Sequence, residues 1–230
     1  MLNIYRRLAV LDQLYKIYDQ FIDSLEIACK KYCADCCTCN VILTTLEARR
    51  IISALDNNVR QGMLEKLMKQ LESRRFTPKI TTNQLADICI SGEDPPEEAP
   101  EESNDPSWGQ CPLLDDDKCP IYDVRPFACR CMVSKHRCAD TGVAEIDKFT
   151  ITVSHVLQQY IEHIDQNGFS GNMADVLTHI MTNDIPGINT NSETTGTYLI
   201  KNTPLRVLMI PPEHRKKIEP ILSALRAIKA

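Results

Sequence analysis

The chain has 230 residues, of which 43% are hydrophobic and 25% are charged. These proportions are typical of a globular protein with a sizeable core, and they exclude collagen, a pure coiled coil and an intrinsically disordered chain. Only 8 glycines are present, and the sequence contains neither G-x-G-x-x-G nor G-x-x-x-x-G-K-S/T. The common nucleotide-binding folds, which use such glycines to bring the backbone close to phosphate, are therefore disfavoured.

The net charge of −5 has a local origin, because residues 93–106 hold seven acidic residues and no basic one. This proline-containing stretch predicts an exposed, mobile linker over 93–108. The rest of the chain carries 26 basic and 24 acidic residues, so we expect it to bind neither nucleic acid nor an anionic membrane. Because the sequence shows neither a run of 18 apolar residues nor a signal-peptide pattern, we expect no membrane span and a cytoplasmic location.

The first part of the chain has the apolar periodicity of helices. Apolar residues at steps of three and four predict an amphipathic helix over 4–31. A capping-box pattern, T-x-x-E, opens a predicted helix over 44–55, and a related pattern, T-x-x-Q, opens another over 81–90. Between them the periodicity predicts a helix over 59–73.

After the acidic segment the apolar periodicity of helices is interrupted. Residues 111–138 are short of apolar residues and interrupted by proline, and Asp115 to Lys118 are placed to close a small hairpin within 111–122. The remaining predicted elements are helices over 145–165 and 172–181, a polar loop over 183–203, a short strand or extended edge over 205–210, and a basic C-terminal helix over 211–230.

Cysteine is the most unusual feature, with 11 residues that all fall between positions 29 and 138. An odd number cannot form a complete set of disulfides, and clustered thiols in a reducing compartment more often bind metal. The groups are C-x3-C-x2-C-C-x-C from Cys29 and C-x7-C-x9-C-x-C-x6-C from Cys111, with Cys89 between them. Two thiolates separated by two residues can reach one ion, so the spacing nominates Cys33 and Cys36 as ligands of zinc or of an iron–sulfur cluster.

At these residues the sequence resembles the YkgJ-like CxxCxxCC family, which is described as a zinc- or iron-chelating domain. The resemblance rests on CKKYCADCC at 29–37, CPLL at 111–114 and CPIYDVRPFACR at 119–130. The first stretch departs from the family pattern in its three-residue gap and in Ala34, where the family has glycine. The resemblance implies metal ligands at Cys29, Cys33, Cys36, Cys37, Cys111, Cys119 and Cys129.

The identity of the metal stays open at this point. An all-sulfur ligand set suits zinc and iron–sulfur chemistry equally well. Seven cysteines exceed the four of one mononuclear zinc site, which favours a [4Fe–4S] cluster, although a second zinc would also use the surplus. Four thiolates leave either centre with a net charge of about −2, and we expect Arg125 and Arg130 to offset this charge beside the cofactor.

Four further cysteines lie outside the family pattern. Cys89 stands in the apolar run Ile-Cys-Ile and is predicted to be a core residue. Metal binding by Cys39, Cys131 and Cys138 stays open, with oxidisable bystander thiols as the alternative.

These patterns together predict a mainly α protein, a single helical domain in which two irregular cysteine-rich loops converge on a metal centre. The predicted parts are N-terminal helices with the first cysteine group at 1–92, the linker at 93–108, the second cysteine group at 109–140 and C-terminal helices at 141–230. Three functions are compatible with such a protein. They are an iron–sulfur protein with a redox, sensing or accessory role, a zinc-stabilised module that binds an unknown protein partner, and an enzyme resembling the flagellin lysine N-methylases.

Overall fold

The computed structural model describes residues 3–93, 108–184 and 198–229, and this part of the chain is mainly α with a small sheet. Most of the predicted acidic linker and of the predicted loop over 183–203 lies outside the described residues. The helices are α1 (Ile4–Asp23), α2 (Thr45–Ser53), α3 (Asn57–Leu71), α4 (Thr82–Ser91), α5 (Phe127–Cys131), α6 (Cys138–Thr141), α7 (Lys148–Ile164), α8 (Met173–Asp184) and α9 (Glu219–Arg226). The strands are β1 (Ile42–Thr44), β2 (Phe169–Asn172) and β3 (Ile200–Lys201).

Both predicted capping boxes are confirmed, and they determine where α2 and α4 begin. The Thr44 backbone N–H donates to Glu47 Oε2 over 2.8 Å, and Thr44 Oγ1 accepts from the Glu47 N–H over 3.3 Å. In the same way, the Thr81 backbone N–H donates to Gln84 Oε1 over 2.8 Å, and Thr81 Oγ1 accepts from the Gln84 N–H over 3.1 Å. Because each pair satisfies helix-end donors that would otherwise lack partners, the local sequence is sufficient to start these helices.

The sheet joins the N-terminal and C-terminal parts of the chain. The central strand β2 pairs antiparallel with β1, where Leu43 opposes Gly171, and with β3, where Ser170 opposes Ile200. A Cβ atom at position 171 would lie 2.7 Å from a methyl carbon of Leu199, so the Leu199 side chain packs closely against β2 and would have to move if glycine were replaced.

Two groups of buried apolar residues form the core. The first lies among α1, α7 and α9 and includes Leu14, Leu157 and Leu222. The second lies among β1, α2, α3 and α8 and includes Leu43, Leu67, Leu177, Leu113 and Ile121. Leu113 and Ile121 come from the second cysteine group, so this otherwise irregular segment is anchored to the second core.

Several predicted boundaries are wrong. Helix α1 ends at Asp23 rather than at residue 31, and residues 205–210 form no strand, whereas β3 lies earlier in the chain. The C-terminal helix is confined to α9, after a 3₁₀ turn at Pro212–His214. The hairpin is confirmed, because Asp115 and Lys118 exchange backbone hydrogen bonds of 3.0 and 2.9 Å. None of the helices in the described ranges is long and apolar enough to cross a membrane.

Candidate metal centre

The two cysteine groups are joined by a short antiparallel backbone bridge. The Cys111 N–H donates to the Cys37 carbonyl over 2.9 Å, and the Cys39 N–H donates to the Gly109 carbonyl over 3.0 Å. Thr38 and Gln110 therefore lie opposite each other. Cysteines far apart in the sequence are in this way held side by side.

A second backbone contact brings the end of the second cysteine group to the start of the first. The Ala28 N–H donates to the Ser134 carbonyl over 2.8 Å, and the Ser134 N–H donates to Cys29 Sγ over 3.2 Å. Tyr32 adopts a φ of +73°, in the left-handed region, where the chain turns between Cys29 and Cys33. Three segments, at 28–39, 109–119 and 129–138, thus surround one space.

That space is a cavity of about 1170 Å³. The cysteines that line it are the seven predicted from the family resemblance and one more, Cys29, Cys33, Cys36, Cys37, Cys111, Cys119, Cys129 and Cys138. The structure therefore brings the sequence-predicted cysteines together.

Four of these cysteines, Cys36, Cys111, Cys119 and Cys129, are hereafter called the inner thiols. Burial raises the pKa of Cys129, and the nearby sulfurs of the other three raise it further. Burial raises the pKa of Cys111 to about 11, and Cys119 adds to the increase. Because each ionised sulfur disfavours ionisation of the next, the inner thiols are protonated at neutral pH and a metal must displace their protons.

Cys36 also contacts its neighbour in the chain. The neighbouring Cys37 thiol is the largest cause of the raised pKa of Cys36, and burial adds to it. The Cys36 sulfur raises the pKa of both Cys129 and Cys29, so it lies near an inner thiol and near a cysteine on the other side of the cavity.

Four thiols remain: Cys37, which follows Cys36 in the chain, and Cys29, Cys33 and Cys138, which are hereafter called the outer thiols. Cys33 is exposed, and Cys29 and Cys138 are half-buried. Burial raises the pKa of Cys29, and the sulfurs of Cys36 and Cys138 raise it further. The Cys33 thiol donates to Asp35 Oδ2 over 3.5 Å.

Arg125 lies near the inner thiols, and its predicted role beside a cofactor stays a prediction. Burial raises the pKa of Cys119 and Cys129, and the Arg125 guanidinium opposes that increase at both sulfurs. The guanidinium stacks 4.0 Å from the centre of the Tyr122 ring and donates to the Tyr122 carbonyl over 3.0 Å. Its position is therefore fixed where it can offset negative charge on the sulfurs.

Arg130 is bound to helix α1. Its Nη1 donates to both oxygens of Asp19 over 2.9 and 2.8 Å, its Nε donates to the Arg125 carbonyl over 3.2 Å, and the guanidinium stacks over the Tyr15 ring. These contacts hold α5, which carries Cys129, against α1. Contact between Arg130 and a cofactor stays a prediction.

Glu47 is a contributor to the site that sequence reasoning assigned only to a capping box. Its side chain is 1% exposed, and Oε1 accepts from the Tyr15 hydroxyl and from the Phe127 N–H, each over 2.7 Å. Phe127 begins α5 two residues before Cys129, so Glu47 couples the start of α2 to the position of an inner thiol. No local pattern around Phe127 signals this long-range acceptor.

The other cysteines have separate environments. Cys131 faces the first core near Tyr18, and burial raises its pKa to about 12. Cys39 is buried. The prediction that Cys89 is a core residue is wrong, because α4 turns Ala86 inward and leaves Cys89 exposed. Cys138, for which metal binding was left open, lines the cavity although it lies outside the family pattern.

Within residues 3–93, 108–184 and 198–229, no three His, Cys, Asp or Glu side chains are arranged to hold one metal ion. The chemistry of the donors nevertheless fits a metal centre, because sulfur ligands select zinc and iron–sulfur clusters. The inner thiols are the residues that would hold it. Binding would require their protons to leave and their sulfurs to turn toward a common point.

The fold and the site define a mainly helical protein with a cysteine-lined cavity. A comparison with protein-family models, with curated proteins and with solved structures finds no match to the chain. The resemblance to the YkgJ-like family therefore stays a prediction that rests on the motifs within 29–37 and 111–130.

Proposed function

We propose that the protein binds a [4Fe–4S] cluster through the inner thiols and has a redox, sensing or accessory role. One observation carries the proposal: Cys36, Cys111, Cys119 and Cys129, from three separate segments of the chain, line one cavity, and the sulfurs of the first three raise the pKa of Cys129. Isolated thiols used as small core residues have no reason to gather in this way, because clustered sulfurs raise the cost of ionising one another.

The surrounding residues suit a negatively charged cluster. When bound, a cluster of this type supplies one-electron transfer at a potential set by burial, charge and hydrogen bonding. Arg125 offsets negative charge at Cys119 and Cys129. Leu113 and Ile121, which are 1% and 2% exposed, anchor the segment that carries Cys111 and Cys119 and limit access of water from the core side.

A zinc-stabilised interaction module is the second candidate, and the effect of the Cys37 thiol on the pKa of Cys36 favours it, because the two thiols are neighbours. Four sulfurs about 2.3 Å from one zinc form a compact tetrahedron, which neighbouring thiols can help to build. A zinc site would therefore use Cys36 and Cys37 together, whereas the proposed cluster uses Cys36 without Cys37.

Metal and acid-labile sulfide analysis of anaerobically purified protein tests the proposal. We expect about four irons and four sulfides per chain, with brown absorption near 400 nm that bleaches on reduction. Colourless protein with stoichiometric zinc would establish the second candidate instead. Protein that contains neither metal, and takes up neither during anaerobic reconstitution, would overturn both.

The methylase-like alternative has its own test, which is calorimetric titration of the purified protein with the methyl donor S-adenosylmethionine. We expect no heat of binding, because a methyl donor is not required by the proposed function. Saturable binding would move the proposal to a protein-modifying enzyme.

A further inference from the structure

A second cavity, of about 830 Å³, adjoins the cavity of the inner thiols, and one turn of the first cysteine group forms a wall between the two. The turn spans residues 30–33 and is closed by a bond of 3.0 Å from the Cys33 N–H to the Lys30 carbonyl. Lys30, Tyr32 and Cys33 line both cavities. Movement of this turn away from the protein would therefore join the cavities and open a further route to the inner thiols.

Lys31 fastens the turn to the second cysteine group. Its Nζ donates to Asp123 Oδ1 over 3.3 Å and lies 5.0 Å from the centre of the Tyr122 ring. The Arg125 guanidinium stacks on the same ring. Because Tyr122 and Asp123 closely follow Cys119 in the chain, Lys31 joins the turn to the segment that carries an inner thiol.

The contacts of Lys31 are weak enough to break reversibly. The side chains of Lys31 and Asp123 are 47% and 85% exposed, so water and dissolved salt screen their attraction. The cation–π contact with Tyr122 uses the same exposed ammonium, and such contacts are weak where the cation stays hydrated. Tyr32 has a φ of +73°, which costs energy in a residue other than glycine, so the closed turn is held against a local strain.

Both ends of the turn are held by backbone bonds. Before it, the Ala28 N–H donates to the Ser134 carbonyl over 2.8 Å. After it, the Cys111 N–H donates to the Cys37 carbonyl over 2.9 Å. The turn can therefore move while the first and second cysteine groups stay joined.

We propose that the turn at 30–33 is a movable wall, held closed by Lys31, that controls the access of metal ions and small solutes to the inner thiols. Opening breaks the contacts of Lys31 with Asp123 and Tyr122 and leaves the backbone bonds at both ends intact. High salt favours the open state, because it screens the exposed ion pair. As the regulation of a metal site, the proposal rests on the proposed function, although the closed state itself requires no metal.

Alkylation by the neutral reagent iodoacetamide measures this access. Protein purified anaerobically is treated with iodoacetamide in low salt and in about 1 M sodium chloride, and peptide mass spectrometry gives the rates at Cys111 and Cys129. In low salt we expect both cysteines to react about three- to tenfold faster in K31A than in wild type. At high salt the wild-type rates should approach those of K31A.

Three further variants identify the cause of a faster reaction. K30A is the matched control, because Lys30 lies in the same turn and lines both cavities, and it should react like wild type. D123N should react faster than wild type, and the K31A/D123N double variant should equal K31A, because both changes break one contact. An effect on thiol ionisation would instead act in opposite directions, since K31A removes a positive charge and D123N a negative one.

Four results would overturn the proposal. They are a K31A rate equal to that of wild type, a K30A rate equal to that of K31A, opposite effects of K31A and D123N, and a circular dichroism melting curve of K31A shifted far enough to assign the faster reaction to general unfolding. Metal content is measured on the same samples, and the comparison of K31A with wild type is made whether or not they contain metal. Failure of the movable wall and failure of the metal proposal are therefore distinguishable.

Discussion

Replacing Glu47 by glutamine tests whether this buried carboxylate holds the second cysteine group in place. Oε1 accepts from the Tyr15 hydroxyl and the Phe127 N–H, each over 2.7 Å, and Oε2 accepts from the Thr44 N–H and hydroxyl over 2.8 and 3.0 Å. E47Q replaces one oxygen with an NH₂ group. Whichever oxygen is replaced, one backbone N–H, that of Phe127 or of Thr44, loses its acceptor and faces another donor, whereas the hydroxyl at the same oxygen can turn and accept from the amide.

The size of the effect follows from these contacts. A hydrogen bond to a charged group contributes about 1.5 to 3 kcal/mol, so the loss of the N–H bond lowers the free energy of unfolding by about that amount. With an m-value of about 3 kcal/mol/M, the urea midpoint falls by about 0.5 to 1 M. Because Phe127 begins α5, we also expect the loss of order to extend to Cys129.

Urea unfolding followed by circular dichroism measures the change. E65Q is the matched control, since Glu65 is exposed on α3 and accepts only a 3.3 Å bond from Gln61; its midpoint should stay within about 0.2 M of wild type. An E47Q midpoint equal to that of E65Q would refute the assignment of Glu47 as a buried hydrogen-bond centre.

Four further predictions concern other contacts. R75K should lower the free energy of unfolding by about 1 to 3 kcal/mol in a thermal melt, because lysine cannot make the bidentate bonds of 2.8 and 2.6 Å to Asp175. Burial raises the pKa of Glu162 above its ordinary value of 4.5, so the folded state binds the Glu162 proton more tightly than the unfolded state does. As the pH falls through the raised pKa toward 4.5, the free energy of unfolding of the wild type, measured in urea, should therefore rise relative to that of E162Q. D117V should lower the free energy of unfolding in urea by about 1 to 2 kcal/mol, and D117G by less than about 0.5 kcal/mol. The reason is that Asp117 has a φ of +60°, in the left-handed region that glycine adopts without strain. Removing bound metal with a chelator should make residues 109–140 sensitive to protease, because metal binding supplies folding energy to a segment with few apolar residues.

Each of these has an outcome that contradicts it. R206K, at an exposed pair with Asp87 of 3.7 Å, is the control for R75K, and equal melting temperatures for the two variants would be contrary to expectation. A stability difference between wild type and E162Q that is constant with pH would show that burial does not perturb Glu162. Equal stability of D117V and D117G would contradict the left-handed backbone conformation at position 117. Unchanged protease resistance after chelation would contradict a structural role of the metal.

The elements that the sequence predicts well are those with local causes. The capping boxes at Thr44 and Thr81 place the starts of α2 and α4, because donor and acceptor lie three residues apart in the chain. The hairpin at 115–118 is local in the same sense. By contrast, β1 and β2 were not predicted, since three- and four-residue strands carry too little alternation and are defined by their pairing with each other.

The site shows the same division between local and long-range causes. The spacing at Cys33 and Cys36 and the motifs around Cys119 indicated which thiols gather, and the structure places them on one cavity. The separation into inner and outer thiols depends on the bonds from Cys111 to Cys37 and from Ser134 to Cys29, which join distant segments. The spacing of the cysteines in the sequence does not indicate these long-range bonds.

The central claim, that the inner thiols bind one inorganic centre, is tested most directly by the iron and sulfide contents of C129S and C89S purified side by side under anaerobic conditions. The sulfurs of the other three inner thiols all raise the pKa of Cys129, whereas Cys89 is exposed on α4. We expect wild-type iron, sulfide and absorption near 400 nm for C89S, and loss of all three for C129S. Equal contents in both variants, whether full or absent, would contradict it.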